Sequence, residues 1–189
     1  WTNLGALQEN LGDIKGASES HLSAVRLEPK SYIPYNNLAN LLVRQGKIQK
    51  AIEFYQQSLL VEPSCAMTHY LLGNSYRRMG DKKQTFVHWN KAIALEPGWE
   101  EVRHKLADLY EEIGDSNEAI RQLQMALTSA SENTVALINL GVIHKERGKT
   151  AKAIEYFERA LKIDSRSYDA LYNLGTAYEQ DGLTQKAME

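Results

Sequence analysis

The chain has 189 residues, of which 22 are Lys or Arg and 24 are Asp or Glu, so its formal net charge is −2. This balance, with a pI near 6.3, argues against a nucleic-acid partner, because proteins bind nucleic acids mainly through basic residues that neutralise phosphates. A single Cys excludes an internal disulfide, and no run of about 18 apolar residues is present for membrane insertion, so we expect a soluble, intracellular protein of the cytoplasm.

Glycine recurs at a constant spacing of 34 residues along the whole chain. Leucine recurs with the same period, and each such leucine is followed by Gly or Ala. A period of this length predicts a repeat architecture in which each unit is one small supersecondary motif. The predicted units are residues 1–31, 32–65, 66–99, 100–133, 134–167 and an incomplete sixth, 168–189. The periodic glycines are Gly12, Gly46, Gly80, Gly114, Gly148 and Gly182.

Each unit is predicted to form two amphipathic helices. In the second unit, apolar residues in 33–42 recur at helical spacing, Gly46 supplies a turn, and a second apolar stripe over 51–61 ends before Pro63. No alternating strand pattern is present, so we expect an all-α chain without a sheet. Small residues in one column allow close helix approach, at Ala17, Ala51, Thr85, Ala119, Ala153 and Ala187. Large residues in another column fill the space behind them, at Tyr55, Trp89, Leu123 and Phe157.

These columns resemble the tetratricopeptide repeat (TPR) family, whose 34-residue unit carries a Trp, Leu-Gly, Tyr, Ala, Phe and Pro pattern. In the first unit the matching residues are Trp1, Leu4, Gly5, Ala17, Ala24 and Pro29. In the third they are His69, Leu72, Gly73, Tyr76, Trp89, Ala92 and Pro97. The resemblance implies a right-handed α-solenoid, one superhelical domain over residues 1–189, whose first helices line a concave groove.

Several positions depart from this pattern. Ser131 and Ser165 replace the closing Pro, Thr85 replaces a small Ala, and Gln8 and His21 occupy apolar positions. These substitutions predict local changes in packing within the same fold. The last apolar stripe stops at Ala187, Met188 and Glu189, so we expect this chain to be a fragment of a longer protein.

No pattern in the sequence indicates catalysis, a cofactor or a metal. The segment from Gly148 to Thr150 resembles the end of a phosphate-binding loop, but Ile143 stands where that loop needs Gly. The five His residues fall at five different repeat positions without metal-ligand spacing, and no base can be assigned to Cys65. We therefore expect no enzymatic activity and no cofactor.

By the resemblance, polar residues of the first helices face a ligand. Asparagine is the most informative of them, because its amide can hold a peptide backbone through both a donor and an acceptor. Acidic residues of a bound segment are expected near the second and third repeats, and basic residues near the fourth, which carries Glu101, Asp108, Glu111 and Glu112. The predicted groove residues are Asn36, Asn37, Asn40, Arg44, Tyr70, Asn74, Arg77, Arg78, Glu101, Lys105, Asp108, Asn139, Tyr172 and Asn173.

One column alternates in sign, and it admits two interpretations. The alternation favours ion pairs between neighbouring repeats, while direct ligand contact is the other interpretation. Arg44 and Arg78, one position further on, are the better candidates for an acidic ligand group. The column consists of Arg77, Glu111, Lys145 and Glu179.

Three functions are compatible with these residues. The first is a non-enzymatic scaffold that binds a protein or peptide ligand in the groove, with self-association through the solenoid ends as a further expectation. The second is the substrate-selecting arm of a larger glycosyltransferase, because Asn3, Asn37, Asn139 and Asn173 resemble the asparagine ladder of O-GlcNAc transferases, with interruptions at Leu71 and Lys105. The third, a clamp for C-terminal carboxylates, lacks the Lys, Asn and Arg pattern of that family in either register.

Overall fold

A computed structural model describes residues 1–129 and 132–182 of the chain. These residues form eleven helices and no strand, which confirms the prediction of an all-α chain over this part. The predictions that concern Ser131, Ala187, Met188 and Glu189 lie outside the described residues. The chain divides into two compact units, Trp1–Pro97 and Gly98–Glu189.

The first unit contains three helix pairs, and each helix packs against the next one along the chain. The predicted first helices of the repeats are α1, α3 and α5, and the second helices are α2, α4 and α6. Helix α4 ends at Val61, as Pro63 predicts. The bounds are Thr2–Asn10 for α1, Ile14–Leu27 for α2, Ile33–Arg44 for α3, Ile48–Val61 for α4, Ala66–Arg78 for α5 and Lys82–Leu95 for α6.

The second unit continues the same alternation of first and second helices. Side chains at the start of two of its first helices cap them: Asn133 Oδ1 accepts the backbone N–H of Ala136, and Ser167 Oγ accepts that of Ala170. The bounds are Glu100–Glu112 for α7, Ser116–Ser129 for α8, Thr134–Glu146 for α9, Thr150–Ile163 for α10 and Tyr168–Gln180 for α11.

The periodic glycines end the first helix of each pair. Their φ angles lie between 69° and 81°, a left-handed conformation that strains every residue with a Cβ atom. A second set of glycines within the first helices serves close packing instead, because a Cβ at Gly73 would overlap the indole of Trp89 and one at Gly141 the ring of Phe157. Glycine therefore both ends the first helices and admits large rings against them.

The departures from the repeat pattern are accommodated by hydrogen bonds. Thr85 is fully buried and its hydroxyl donates to the carbonyl of Asp81 over 2.8 Å. Ser20 donates to Gln8 Oε1, and His21, which is also fully buried, contacts Glu9 Oε1 at 2.7 Å. The local changes in packing at Gln8, His21 and Thr85 therefore take the form of hydrogen-bonded side chains inside an otherwise apolar core, with His21 Nδ1 left without a partner in the described residues.

Candidate ligand-binding surface of the first helices

Asn40 and Asn74 occupy equivalent positions of α3 and α5, and the two side chains border one cavity of about 160 Å³ in the first unit. We call it the donor cavity. Its seven lining residues are Asn40, Val43, Tyr55, Leu71, Asn74, Ser75 and Arg78. The structure thus brings together three of the groove residues that the sequence predicts.

The orientation of the Asn74 amide is set by Trp89. The indole Nε1 of Trp89 lies 3.1 Å from Asn74 Oδ1, and Trp89 itself is only 3% exposed. Because an indole N–H can only donate, the side-chain oxygen of Asn74 must face it. The amide nitrogen of Asn74, with its two N–H groups, has no partner within the described residues.

Asn40 is held in the same way by Tyr55, whose hydroxyl donates to Asn40 Oδ1 over 2.5 Å. Burial raises the pKa of Tyr55, and the positive charges of Arg78 and Arg44 offset only part of that rise. The hydroxyl therefore remains protonated at every physiological pH and keeps its role as donor. The Asn40 amide nitrogen also lacks a partner among the described residues.

The two arginines predicted to meet an acidic ligand differ in the structure. Arg44 forms an ion pair with Glu9, with 2.6 Å between its guanidinium nitrogen and Glu9 Oε2. The Glu9 side chain is 7% exposed and also contacts His21. The charge of Arg44 is therefore already paired within the protein. Arg78 is exposed beside the donor cavity and has no ion pair within the described residues.

Asn36 is not a ligand-facing residue, and this prediction is wrong. It is 7% exposed, and its amide nitrogen donates to Thr68 Oγ1 over 2.7 Å in the interior between helices α3 and α5. Adjacent residues of a helix point about 100° apart, so the side chains of Asn36 and Asn37 leave α3 in different directions. The Asn36 side chain points towards the next repeat.

A second cavity, of about 220 Å³, lies in the second unit and is bordered by carboxylates. We call it the acidic cavity. The side-chain atom Glu111 Oε1 is inaccessible to solvent and has no hydrogen-bond donor. A negatively charged oxygen without a donor is costly inside a protein, which makes this wall receptive to an N–H group. The lining residues are Ala107, Asp108, Glu111, Leu123, Asn139, Val142, Ile143 and Glu146.

Among the described residues of the second unit, Lys145 of the alternating column forms no ion pair with Glu111 or Glu179. Lys145 Nζ instead donates to Asn173 Oδ1 over 2.9 Å and to Thr176 Oγ1 over 2.8 Å. These neutral acceptors on α11 lie within reach of the lysine, so Lys145 joins the two repeats without pairing with Glu111 or Glu179.

The other predicted groove residues differ in their exposure and in the contacts that their side chains make. Lys105 and Glu101 form an ion pair within α7 at 3.6 Å, and exposed Tyr172 stacks on Tyr168. Asn37 and Asn139 are half-buried, and neither amide has a partner within the described residues. Two residues on α5 are half-buried, Tyr70 and Arg77.

His69 and His88 form a pair that the sequence does not predict. The Nδ1 atoms of His69 and His88 lie 3.0 Å apart, and His69 Nε2 contacts the carbonyl of Pro63. Burial lowers the pKa of both residues. The two residues are 19 positions apart and belong to different columns of the repeat, so no spacing rule connects them.

Two further absences concern the described residues alone. No group of three or more His, Cys, Asp or Glu side chains is placed there to hold a metal ion. None of the eleven helices combines the length and hydrophobicity that are needed to cross a bilayer.

Solved structures with the same fold cover most of the chain. MamA is 21% identical over 86% of this chain and 95% of its own, with a TM-score of 0.76. A tetratricopeptide repeat protein from Parabacteroides merdae ATCC 43184 is 21% identical over 97% and 73%, with a TM-score of 0.77. YrrB, described as a TPR protein with an unusual peptide-binding site, is 25% identical over 90% and 88%, with a TM-score of 0.73.

Sequence comparison supports the same assignment. No curated protein matches the chain. Three family models that each describe a tetratricopeptide repeat do match, one at residues 32–65 and 134–167, one at 100–133 and one at 156–189. These matches together span more than half of the sequence, and the solved structures show the predicted solenoid class. The chain belongs to the tetratricopeptide repeat family.

Proposed function

We propose that the chain is a non-enzymatic interaction module that binds an extended segment of a partner protein on the surface of its first helices. The observation that carries the proposal is the state of four asparagine side chains, which present amide N–H groups without a partner within the described residues. Such groups bind backbone carbonyls of an extended chain irrespective of its side chains. The four residues are Asn37, Asn40, Asn74 and Asn139. The peptide-binding site attributed to YrrB supports this proposal.

The two cavities add charge preferences to this surface. In the first unit Arg78 is available to an acidic residue of the segment, and in the second unit Asp108, Glu111 and Glu146 favour a basic residue. The remaining groove residues, Arg44, Tyr70, Arg77, Glu101, Lys105, Tyr172 and Asn173, would border the segment or support the helices that hold it.

A glycosyltransferase arm is the less favoured function. It would use the asparagine column as a continuous ladder, but Asn173 accepts from Lys145 and donates to the carbonyl of Asp169. Its amide is therefore engaged within the protein, in addition to the interruptions at Leu71 and Lys105. This leaves Asn37 and Asn139 as the two members that combine half-burial with an amide without a partner in the described residues.

The test begins with a phage-displayed library of random peptides selected on the purified chain. Affinity of a selected peptide is then measured by calorimetry for the wild type, Asn37→Ala and Asn139→Ala. Each change removes an amide that has no partner within the described residues, so we expect affinity to fall about 2- to 12-fold, which corresponds to about 0.5–1.5 kcal/mol, without a change in melting temperature.

Gln57→Ala is the matched control, because Gln57 is an exposed amide on the second helix α4 and has no hydrogen bond within the described residues. We expect this variant to bind like the wild type. Failure to select any peptide, or native affinity in both groove variants together with a loss in Gln57→Ala, contradicts the proposed surface.

A further inference from the structure

We propose that the donor cavity binds the carboxylate of an Asp or Glu side chain in the partner segment. This inference rests on the proposed function and specifies the chemistry of one position of the ligand. The cavity presents three side chains with N–H donors, Asn40, Asn74 and Arg78, and none of its seven described lining residues is an Asp or a Glu.

The side-chain acceptors of the two asparagines at the donor cavity each already take one hydrogen bond from the protein. Asn74 Oδ1 accepts the indole N–H of Trp89, and Asn40 Oδ1 accepts the hydroxyl of Tyr55. The remaining hydroxyl, that of Ser75, donates to the carbonyl of Leu71 over 2.9 Å. What remains for a ligand is therefore mainly the donor side of two amides and one guanidinium.

A carboxylate matches this arrangement better than a carboxamide does. Both carboxylate oxygens accept, so each can meet an N–H group of Asn40, Asn74 or Arg78. A Gln or Asn side chain of the ligand would turn its own NH₂ group towards donors that cannot accept it, and this mismatch gives selectivity between residues of almost identical shape.

The local charge favours the same ligand. Arg78 and Arg44 both act on the Tyr55 hydroxyl electrostatically. Glu9 neutralises Arg44 in a close ion pair, whereas Arg78 has no such pair within the described residues. A net positive charge therefore remains beside the amide donors, and it is placed where a carboxylate would enter.

Trp89 is a positioning residue in this proposal. It does not border the donor cavity, but its indole holds the Asn74 oxygen away from the ligand. Trp89→Phe keeps an aromatic ring and removes the N–H, which allows the amide to present its oxygen instead. We expect this variant to discriminate less between Glu and Gln in the ligand.

The experiment uses a peptide selected on the wild-type chain and synthesised with a C-terminal amide, so that its acidic side chains are its only carboxylates. Each Asp or Glu is replaced in turn by Asn or Gln. We expect one replacement to weaken binding by about tenfold or more, and we expect that difference to become clearly smaller in Arg78→Gln, which retains the amide donors of Asn40 and Asn74. Arg26→Gln, which removes an exposed arginine of α2 that does not line the cavity, is the control for net charge and should keep the difference.

Asn74→Asp gives a second readout that does not depend on Arg78. An aspartate keeps an acceptor for Trp89 but replaces the outward N–H groups by an oxygen, so the fold is retained while the cavity loses its net positive charge. We expect the acidic peptide to bind this variant at least about tenfold more weakly, and its Glu→Lys version to bind more tightly than it binds the wild type.

The outcomes separate this inference from the proposed function. Binding that depends on Asn37 and Asn139 but shows no preference for Glu over Gln overturns the carboxylate assignment and leaves the interaction module intact. A preference for Glu that persists in both Arg78→Gln and Asn74→Asp places the carboxylate elsewhere and also refutes the assignment. Tight binding only of the peptide with a free C-terminal carboxylate refutes a side-chain ligand.

Discussion

Trp89 and Asn74 are joined by a hydrogen bond of 3.1 Å from the indole Nε1 to the side-chain oxygen, 15 residues apart in sequence. The bond links a second helix to the first helix of its own repeat and orients a surface amide at the same time. A residue that the sequence suggests for ligand binding thus also satisfies a buried donor, so its removal affects both stability and affinity.

Asn74→Ala is expected to destabilise the protein by about 1–3 kcal/mol, because it leaves the buried indole N–H without an acceptor. Asn74→Asp retains the acceptor for the indole N–H, so its unfolding free energy should decrease much less. Urea denaturation of both variants at neutral pH measures the difference. Equal loss in the two variants would show that the hydrogen bond to Trp89 does not contribute to stability.

The ion pair of Glu9 with Arg44 and the contact of Glu9 with His21 predict an asymmetric response to mutation. Glu9→Leu removes the hydrogen-bond partner of a fully buried histidine and should cost about 1.5–3 kcal/mol of unfolding free energy. Arg44→Gln removes a side chain that is 62% exposed and should cost at most about 1 kcal/mol. Chemical denaturation measures the unfolding free energies of the two variants. An equal loss in Arg44→Gln and Glu9→Leu would contradict the prediction.

Gly73→Ala is expected to destabilise the first unit by about 1–3 kcal/mol, because the added methyl group overlaps the indole of Trp89 in a closely packed core. Gly98→Ala is the matched control, since nothing lies within 4 Å of the Cβ that it adds and its φ is not in the left-handed region. Thermal denaturation should leave the control within about 1 kcal/mol of the wild type. Tolerance of Ala at position 73 would show that Trp89 repacks freely.

Acid should destabilise the protein through His69 and His88. Burial holds the pKa of His88 at about 4, with a further lowering from His69 and Lys91, and burial also lowers the pKa of His69 below its usual 6.5. At a pH between the unfolded-state pKa of 6.5 and the folded-state pKa of about 4 for His88, the unfolded chain binds protons that the folded chain does not. The stability that is present above pH 6.5 is therefore lost as the pH falls towards 4.

Urea midpoints at pH 7.5, 6.0 and 5.0 measure this loss, and His88→Asn provides the comparison. The amide nitrogen of Asn stands where His88 Nδ1 does and can still donate to His69 Nδ1, but it does not titrate, so the decrease should be smaller in the variant. A wild-type midpoint that stays constant from pH 7.5 to 5.0, or an identical decrease in the variant, would contradict the assignment to this pair.

Glu111→Gln is expected to raise the unfolding free energy by about 1 kcal/mol, because it removes a negative charge whose buried oxygen has no donor. Glu155→Gln, at an exposed position of α10, is the control and should have no effect. The same Glu111 variant should bind lysine-containing peptides more weakly, as the cavity then carries two carboxylates in place of three. If Glu111→Gln instead lowers the thermal stability, the Glu111 carboxylate makes favourable interactions in the folded protein, and this prediction is wrong.

The sequence alone determines the fold class, the helix pairs and the turns. These features depend on local rules: apolar residues at helical spacing, glycine where φ is positive, and small residues where helices meet, all repeated every 34 residues. That Asn40, Asn74 and Arg78 face a groove is implied only by the resemblance to tetratricopeptide repeats, and in the structure these three residues border one cavity.

Which atoms of those side chains are available is decided only by the tertiary structure. Asn36 and Asn37 are neighbours in sequence, yet one bonds Thr68 in the interior and the other has no partner within the described residues. Arg44 and Arg78 are equivalent in the repeat, yet only Arg44 meets Glu9. The repeat period specifies the direction of a side chain from its own helix, whereas hydrogen bonds and ion pairs depend on individual residues of neighbouring helices, which differ from one repeat to the next.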